Sequence, residues 1–323
     1  MQSRSGRTGH RRALPTTYRR FPRSVRRGSC GFVCIPWATR SAGPAAHATR
    51  AYAGRVPTPS YVTCTVADHI AHVRLDRAEK MNALTLETLR ELARTAHGLR
   101  RDRDLRAVVL SGEGEAFSAG LDFGAVVRDP LGVVTSFLPR PWRGTNTFQE
   151  ACWAWRRLPV PVVAAVHGHC LGGGLQLALA ADFRIAAPDS QWSVLESKWG
   201  LIPDMTGIRT LAELVGIDTA KRLTMTGQLL TGTQAEAKGL VTELADDPLA
   251  AAFDLAHELA RRSPDALAAA KRLFDGHWRS GLRRTLAAER VEQVALLAAA
   301  NTRAARTAAF GRNEPVFGPR ARV

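Results

Sequence analysis

Three consecutive glycines, Gly172-Gly173-Gly174, separate two apolar patterns. Before them, Val160–Val166 is an apolar run with Pro159 and Pro161 at its start, the pattern of a buried strand. After them, Leu175, Leu177, Leu179 and Ala178, Ala180, Ala181 predict a tight, buried helix. Glycines at such a junction leave backbone N–H groups bare at a helix start, where they bind an anion or a negative charge that develops during a reaction. Close packing of helix on strand needs the same glycines, and the triplet alone does not separate the two readings. The GxGxxG spacing of a dinucleotide site is absent, and no Gly-Lys-Ser/Thr follows as in a P-loop. Upstream, the stretch from Ser111 to Asp122 has a similar layout: strand Ala107–Leu110 runs into small residues ahead of a helix-like segment. Beyond the triplet lie an amide, Gln176, and two acids, Glu196 and Asp204. A lone Glu is ordinarily a solvated surface group. Asp204 also has the position of a helix N-cap ahead of Met205–Leu211.

The segments AFSAGLD, HGHCLGGGLQLALAADFRIA and ESKWGLIPDMTG, in this order, resemble the crotonase superfamily of enoyl-CoA hydratases and isomerases. The resemblance runs from about Val62 to Phe317. It implies an α/β fold, a crotonase-like spiral of ββα turns, with a helical C-terminal region that builds a trimer and completes a neighbour's coenzyme pocket. It also implies thioester enolate chemistry, with the carbonyl oxygen held by two backbone N–H donors. In the family pattern these follow Ala-Gly in the first loop and sit at the middle glycine of the triplet, here Leu121 and Gly173. Coenzyme A is then part of the substrate, and no permanently bound cofactor and no metal are implied. The substrate contacts carried over are Lys80, Met81, Ala83, Ser118, Ala119, Gly120, Asp122, Leu171, Gly172, Leu195 and Pro203. Lys80 or Arg77 would meet the coenzyme phosphates, and Leu195, Trp199 and Ile202 would wall the pocket around Glu196.

The choice of reaction rests on the acids. Hydratases of the family carry Glu at position 176 and at position 196, which together activate water. Here Gln176 replaces the first and Glu196 matches the second. Dienoyl-CoA isomerases carry an acid where this chain has Asp204, and an Asp where it has Gln176. The resemblance therefore favours a double-bond isomerase acting through Glu196, with Asp204 as a second acid. An enoyl-CoA hydratase is the alternative, and hydrolase, decarboxylase and other lyase chemistries share the scaffold. A non-catalytic acyl-CoA binder, or an RNA-binding relative, is the reading from another class.

These residues need a scaffold to position them. Tyr61–Val66 and Ile70–Leu75 predict two strands joined at Ala67-Asp68-His69. Thr85 predicts a helix cap, with Glu87 in the first turn and Leu86, Leu89, Leu92, Ala93 and Ala96 on one face. Residues 124–146 have poor periodicity and three prolines, which predicts a mobile flap whose Val133, Val134, Phe137, Leu138 and Trp142 would wall an acyl pocket. Helices are predicted over Phe148–Arg157, Ile208–Val215 and Thr219–Thr224, then Gly239 as a C-cap before strand Leu240–Leu244. Ala250–Arg262, Pro264–His277 and Leu282–Ala300 read as terminal helices, with Pro264 in a first turn. The expected organisation is a basic, disordered extension (1–58), a spiral core (59–247) and a helical region (248–323).

Charge is unevenly placed along the 323 residues. Residues 1–67 hold twelve arginines and no Asp, Glu or Lys, leaving +4 of the net +16 for the rest. The basic balance belongs to this tail and not to a nucleic-acid-binding face on the fold. The tail reads as a disordered arm, as residues ahead of a true start codon, or as a mitochondrial transit peptide. The excess of Arg over Lys and the abundant Ala suit a GC-rich bacterial genome and a cytoplasmic enzyme, or a mitochondrial one if the transit reading holds. No apolar run reaches the roughly 18–20 residues of a membrane span, and a soluble chain is expected. Five cysteines, an odd number at scattered spacing, predict neither a disulfide framework nor a zinc site. Removing the tail tests this division. A chain beginning at Pro57 is expected to remain soluble and to keep its affinity for coenzyme A by calorimetry; insolubility or lost affinity would show that the tail belongs to the fold.

Overall fold

The computed structural model describes Arg50–Ala51 and residues 60–321. The expected extension otherwise lies outside the described residues. Within it, β1 (Arg50–Ala51) pairs antiparallel with β2 (Val62–Ala67), Arg50 opposite Val66. A hairpin joins β2 to β3 (Ile70–Leu75), and Ala67 faces Ile70 across a loop of two residues. Asp68 and His69 both have positive φ, 48° and 66°, as the favoured two-residue hairpin turn requires. A short 3₁₀ turn at Ala78–Lys80 precedes α1 (Leu86–Arg101), whose N-cap Thr85 makes a capping box with Thr88. Then come β4 (Ala107–Gly112), α2 (Phe123–Val127), α3 (Pro130–Phe137) and α4 (Thr147–Arg156).

The two helices α2 and α3 correct the expectation of an irregular flap. Neither rests on apolar periodicity. Asp122 caps α2 through the Ala125 amide; Asp129 caps α3 through the Gly132 amide, with Pro130 in the first turn.

The central stretch is β5 (Val162–Val166), β6 (His169–Leu171), α5 (Gly173–Ala178), β7 (Phe183–Ala186) and β8 (Gln191–Ser193). A 3₁₀ segment, Leu195–Trp199, leads to α6 (Gly207–Val215) and α7 (Ile217–Thr226). β9 (Leu230–Thr231), α8 (Gly232–Ala237) and β10 (Glu243–Leu244) follow, so the last strand is shorter than predicted. The chain closes with α9 (Pro248–Ala260), α10 (Pro264–His277), α11 (Leu282–Ala298) and α12 (Ala300–Gly311). The last was not expected: extended backbone at Ala299 (ψ 144°) ends α11, and a new helix begins beyond it.

The main sheet has the order β1-β2-β3-β4-β5-β7-β10, parallel from β3 onward; β6, β8 and β9 form a second, smaller sheet. Strand alternation explains why β4 and β5 are apolar throughout. Val108 and Leu110, with Val162, Ala164 and Val166, face a core shared with α1 and α4. Val109, Val163 and Ala165 face the other way, onto Ala252 and Ala256 of α9. Both faces are covered, as parallel sheets require. Beyond α12, Arg320 is fully buried, its guanidinium donating to the carbonyls of Leu105 and Asp102 just before β4. Ala321 N–H donates to Asp265 at the start of α10.

Candidate active site

Two loops meet beside the end of β4. The amides of Phe117 and Ser118 donate to the carbonyls of His167 and His169 (2.9 and 2.8 Å), and Leu171 N–H returns to Ser118 O (3.0 Å). Gly168 sits at this crossing with φ 54°, and a Cβ there would lie 1.9 Å from Glu115 O, so only glycine fits. On the other side Leu84 N–H donates to Gly120 O and Asp122 N–H to Leu84 O, which fixes the backbone on either side of Leu121. No hydrogen bond from the Leu121 or Gly173 amide is found among the described residues. A Cβ built on Gly173 would lie 3.8 Å from the Leu121 nitrogen, so the two amides border the same space.

That space is a cavity of about 510 Å³. Ala119, Gly120, Leu121, Gly172 and Gly173 form one side. Phe123, Val126, Val133, Phe137 and Phe148 add apolar surface, as do Leu195, Trp199, Leu201, Ile202 and Met205. Of the flap residues expected there, Val133 and Phe137 line it; Val134, Leu138 and Trp142 do not, and are exposed. Its polar side chains are Gln176, Glu196 and Asp204, and it contains no cationic one.

Glu196 lies in the 3₁₀ segment and is 9% exposed. Its Oε1 accepts a 2.6 Å hydrogen bond from Gln176 Nε2, while Oε2 is buried without a partner. Burial raises its pKa above the ordinary 4.5; hydrogen bonds from its own backbone and from Gln176 oppose this, and the negative charge of Asp204 adds to it. Burial likewise raises Asp204 above 3.8. Asp204 is not the helix cap its sequence position suggested. α6 begins at Gly207, and the residue ahead of it is Thr206, in left-handed backbone with φ 77°.

Gln176 ties these groups together. Its Oε1 accepts from the amides of Met205 (2.8 Å) and Gly207 (2.9 Å), on either side of that left-handed residue, while Nε2 reaches Glu196. A carboxylate at 176 accepts the same two amides but faces Glu196 Oε1 with a like charge.

The expected coenzyme contacts are scattered. Ala119, Gly120, Gly172 and Leu195 line the cavity. Ser118 is completely buried, and Pro203 is buried too. Leu171, half-buried in β6, is outside the lining. Met81 is 48% exposed, Lys80 is exposed, and the Ala83 carbonyl accepts from Arg77. Arg77 also pairs with Asp122 at 2.7 Å, and Asp122 caps α2. Each is thus engaged with the other. Sequence reasoning missed Asn82. It is buried at φ 53°, and its amide donates to the carbonyls of Glu113 and Ala116, pinning the loop ahead of Leu84 to the first glycine loop. The tolerance of Asn for left-handed backbone was the available signal. Among the described residues no helix is long and apolar enough to cross a membrane, and no group of three His, Cys, Asp or Glu could hold a metal ion.

Residues 65–320 match the family described as Enoyl-CoA hydratase/isomerase. The chain is 34% identical over 229 residues to the mitochondrial Delta(3,5)-Delta(2,4)-dienoyl-CoA isomerase of Homo sapiens, covering 68% of this chain and 70% of the relative. It is 31% identical over 204 residues to the mitochondrial methylglutaconyl-CoA hydratase of Mus musculus, covering 61% and 63%. The enoyl-CoA hydratase structure from Mycobacterium tuberculosis H37Rv superposes with a TM-score of 0.71 at 30% identity, over 80% of this chain and 98% of that one. The chain is an enzyme of the enoyl-CoA hydratase/isomerase family, in the crotonase superfamily, and its fold is the α/β fold of that family.

The Gln176 bridge yields a stability test. Gln176→Ala leaves the Met205 and Gly207 amides without an acceptor, and an unsatisfied buried donor costs about 1–3 kcal/mol. Chemical denaturation is expected to show a loss of about 2–6 kcal/mol for the pair. A change below about 0.5 kcal/mol, the ordinary range for surface substitutions, would show that other contacts hold the turn.

Proposed function

We propose that this enzyme shifts double bonds in an enoyl- or dienoyl-CoA thioester, with a 3,5-dienoyl substrate favoured. One observation carries the reading: two carboxyls of raised proton affinity, Glu196 and Asp204, share an apolar cavity, and position 176 supplies an engaged amide in place of a third acid. The similarity to a dienoyl-CoA isomerase supports it. Glu196 takes a proton from C2. The electron pair moves into the conjugated system, and the negative charge on the thioester oxygen is met by the N–H groups of Leu121 and Gly173. Returning the proton completes the reaction without gain or loss of atoms. In a 3-enoyl substrate it returns to C4, two bonds from C2, within reach of one base. In a 3,5-dienoyl substrate a proton is needed at C6, four bonds away; protonated Asp204 delivers it there, and the proton taken up by Glu196 then passes to the Asp204 carboxylate, which restores both groups. The substrate brings coenzyme A with it, and no permanently bound cofactor takes part. Hydration is the second reading, favoured by the similarity to a hydratase. It requires Glu196 to activate water without a carboxylate at position 176.

Separate incubation with 2-enoyl-, 3-enoyl- and 3,5-dienoyl-CoA tests the choice. Isomerisation is expected to give a 2,4-dienoyl product of unchanged mass and altered ultraviolet absorbance; hydration adds one water. Glu196→Gln is expected to abolish turnover and leave coenzyme A affinity near wild type. Asp204→Asn is expected to slow dienoyl turnover several hundredfold, more than about 3 kcal/mol, and to spare a 3-enoyl substrate. Since Glu196 works ionised and burial raises its pKa, the rate is expected to rise with pH through a limb above 4.5. Retention of most activity by Glu196→Gln on every substrate would refute the mechanism.

We further propose a homotrimer or dimer of trimers. On α11, Leu282, Leu286, Val291, Val294 and Leu297 are 42–73% exposed, and none of the helix's residues is buried. Such apolar surface is characteristic of an interface. Light scattering at micromolar concentration is expected to report a trimer or larger; a monodisperse monomer would refute this.

A further inference from the structure

Ser118 is completely buried and does not line the cavity, yet it bonds to both loops that border it. Through its backbone it joins the second loop: its N–H donates to His169 O at 2.8 Å, and its carbonyl accepts from Leu171 N–H at 3.0 Å. Two residues beyond Leu171 stands Gly173. Through its side chain it organises the first loop: Oγ donates to Asn82 O at 2.8 Å and accepts from Gly120 N–H at 3.2 Å. The next amide after Gly120 is that of Leu121. Gly120 has φ 93°, a backbone state open to glycine, and the Ser118 hydroxyl is the acceptor for its N–H. The two loops touch at this residue. A Cβ on Gly174 would lie 2.6 Å from Ser118 Cβ and 2.7 Å from Oγ, so the serine side chain rests on bare backbone beside Gly173.

We infer that Ser118 is a positioning residue that sets the separation and direction of the Leu121 and Gly173 N–H groups, and so the strength with which they hold an enolate oxygen. The inference rests on the oxyanion role proposed above for those two amides. Alanine at 118 fills nearly the same volume and keeps both backbone bonds, but leaves Gly120 N–H and Asn82 O buried without their partner. The peptide just before the one that carries the Leu121 amide then loses its anchor, and the Leu121 peptide is left held on one side alone, by Leu84 N–H on Gly120 O, while the apolar cavity and Glu196 are untouched. Donors act on a developing charge only when held in place beforehand.

The test uses the full-length enzyme and acetoacetyl-CoA, a thioester whose acidic C2 proton gives an ultraviolet-absorbing enolate when its oxygen is stabilised. Wild type at saturation is expected to show the enolate band. Ser118→Ala is expected to lower that band per bound ligand, to reduce kcat by about tenfold to a hundredfold, less than loss of a whole donor, and to leave KM and the affinity for free coenzyme A within about threefold. Ser118→Cys, which keeps the volume with a weaker hydrogen-bonding group, is expected to fall between the two, and decides the matter by the same readings if the alanine variant does not fold. A purely structural serine would lower the melting temperature and leave the enolate band and kcat unchanged, which overturns the inference. Absence of the band in wild type overturns the oxyanion role itself and the inference with it; a band of equal strength in wild type and variant overturns the inference alone.

Discussion

One amide side chain turns three separate segments into a single site. Gln176 stands on α5, Glu196 on the 3₁₀ segment after β8, and Asp204 in the turn before α6. Without a common partner, each could shift independently of the others. The carbonyl end of Gln176 holds the turn through two backbone amides, and its NH₂ end holds Glu196 Oε1. Because the amide does not titrate, this brace is the same whether Glu196 is charged or neutral. It also leaves Oε2 as the oxygen of Glu196 with no protein partner. A third carboxylate would have made the proton occupancy of the cluster a property of the whole group.

The site depends in turn on a backbone that is short of room for side chains. The two glycine loops exchange main-chain bonds across β6, and the sheet behind them is buried on both faces. Such a scaffold leaves few ways to move one loop without the other. The loop between β3 and α1 is tied in as well, through Asn82 and the Arg77–Asp122 pair.

Much of this was legible in the chain itself. The β2–β3 hairpin, the Thr85 cap, β4 and β5 carry local signals, either apolar runs or turn and capping chemistry, and they formed where expected. The family, the fold class and the enzymatic character could be read from the two glycine loops, whose order and small residues are specific. What was not legible lacked a local signal. The helices α2 and α3 are too short to show periodicity and depend on Asp122 and Asp129 as caps. β6 has three residues and exists because β8 and the first loop pair with it. The partners of Gln176 lie 20 to 31 residues away, so its chemistry was readable only as a missing carboxylate. The pairing of Asp122 with Arg77, 45 residues off, likewise left no local signal.

The segment after α12 joins parts of the chain that are remote in sequence. Arg103 Nε donates to Arg320 O across 217 residues, and the Arg320 guanidinium fills the space before β4. Contacts of such span close the largest loops in a chain and pay their entropy late in folding. Because this clasp grips the lead-in to β4 and the start of α10 together, the terminal helices cannot fray without loosening the strand that feeds the first glycine loop. The clasp therefore couples the helical end to the sheet in unfolding, and a ligand held at the cavity would protect helices that it does not touch.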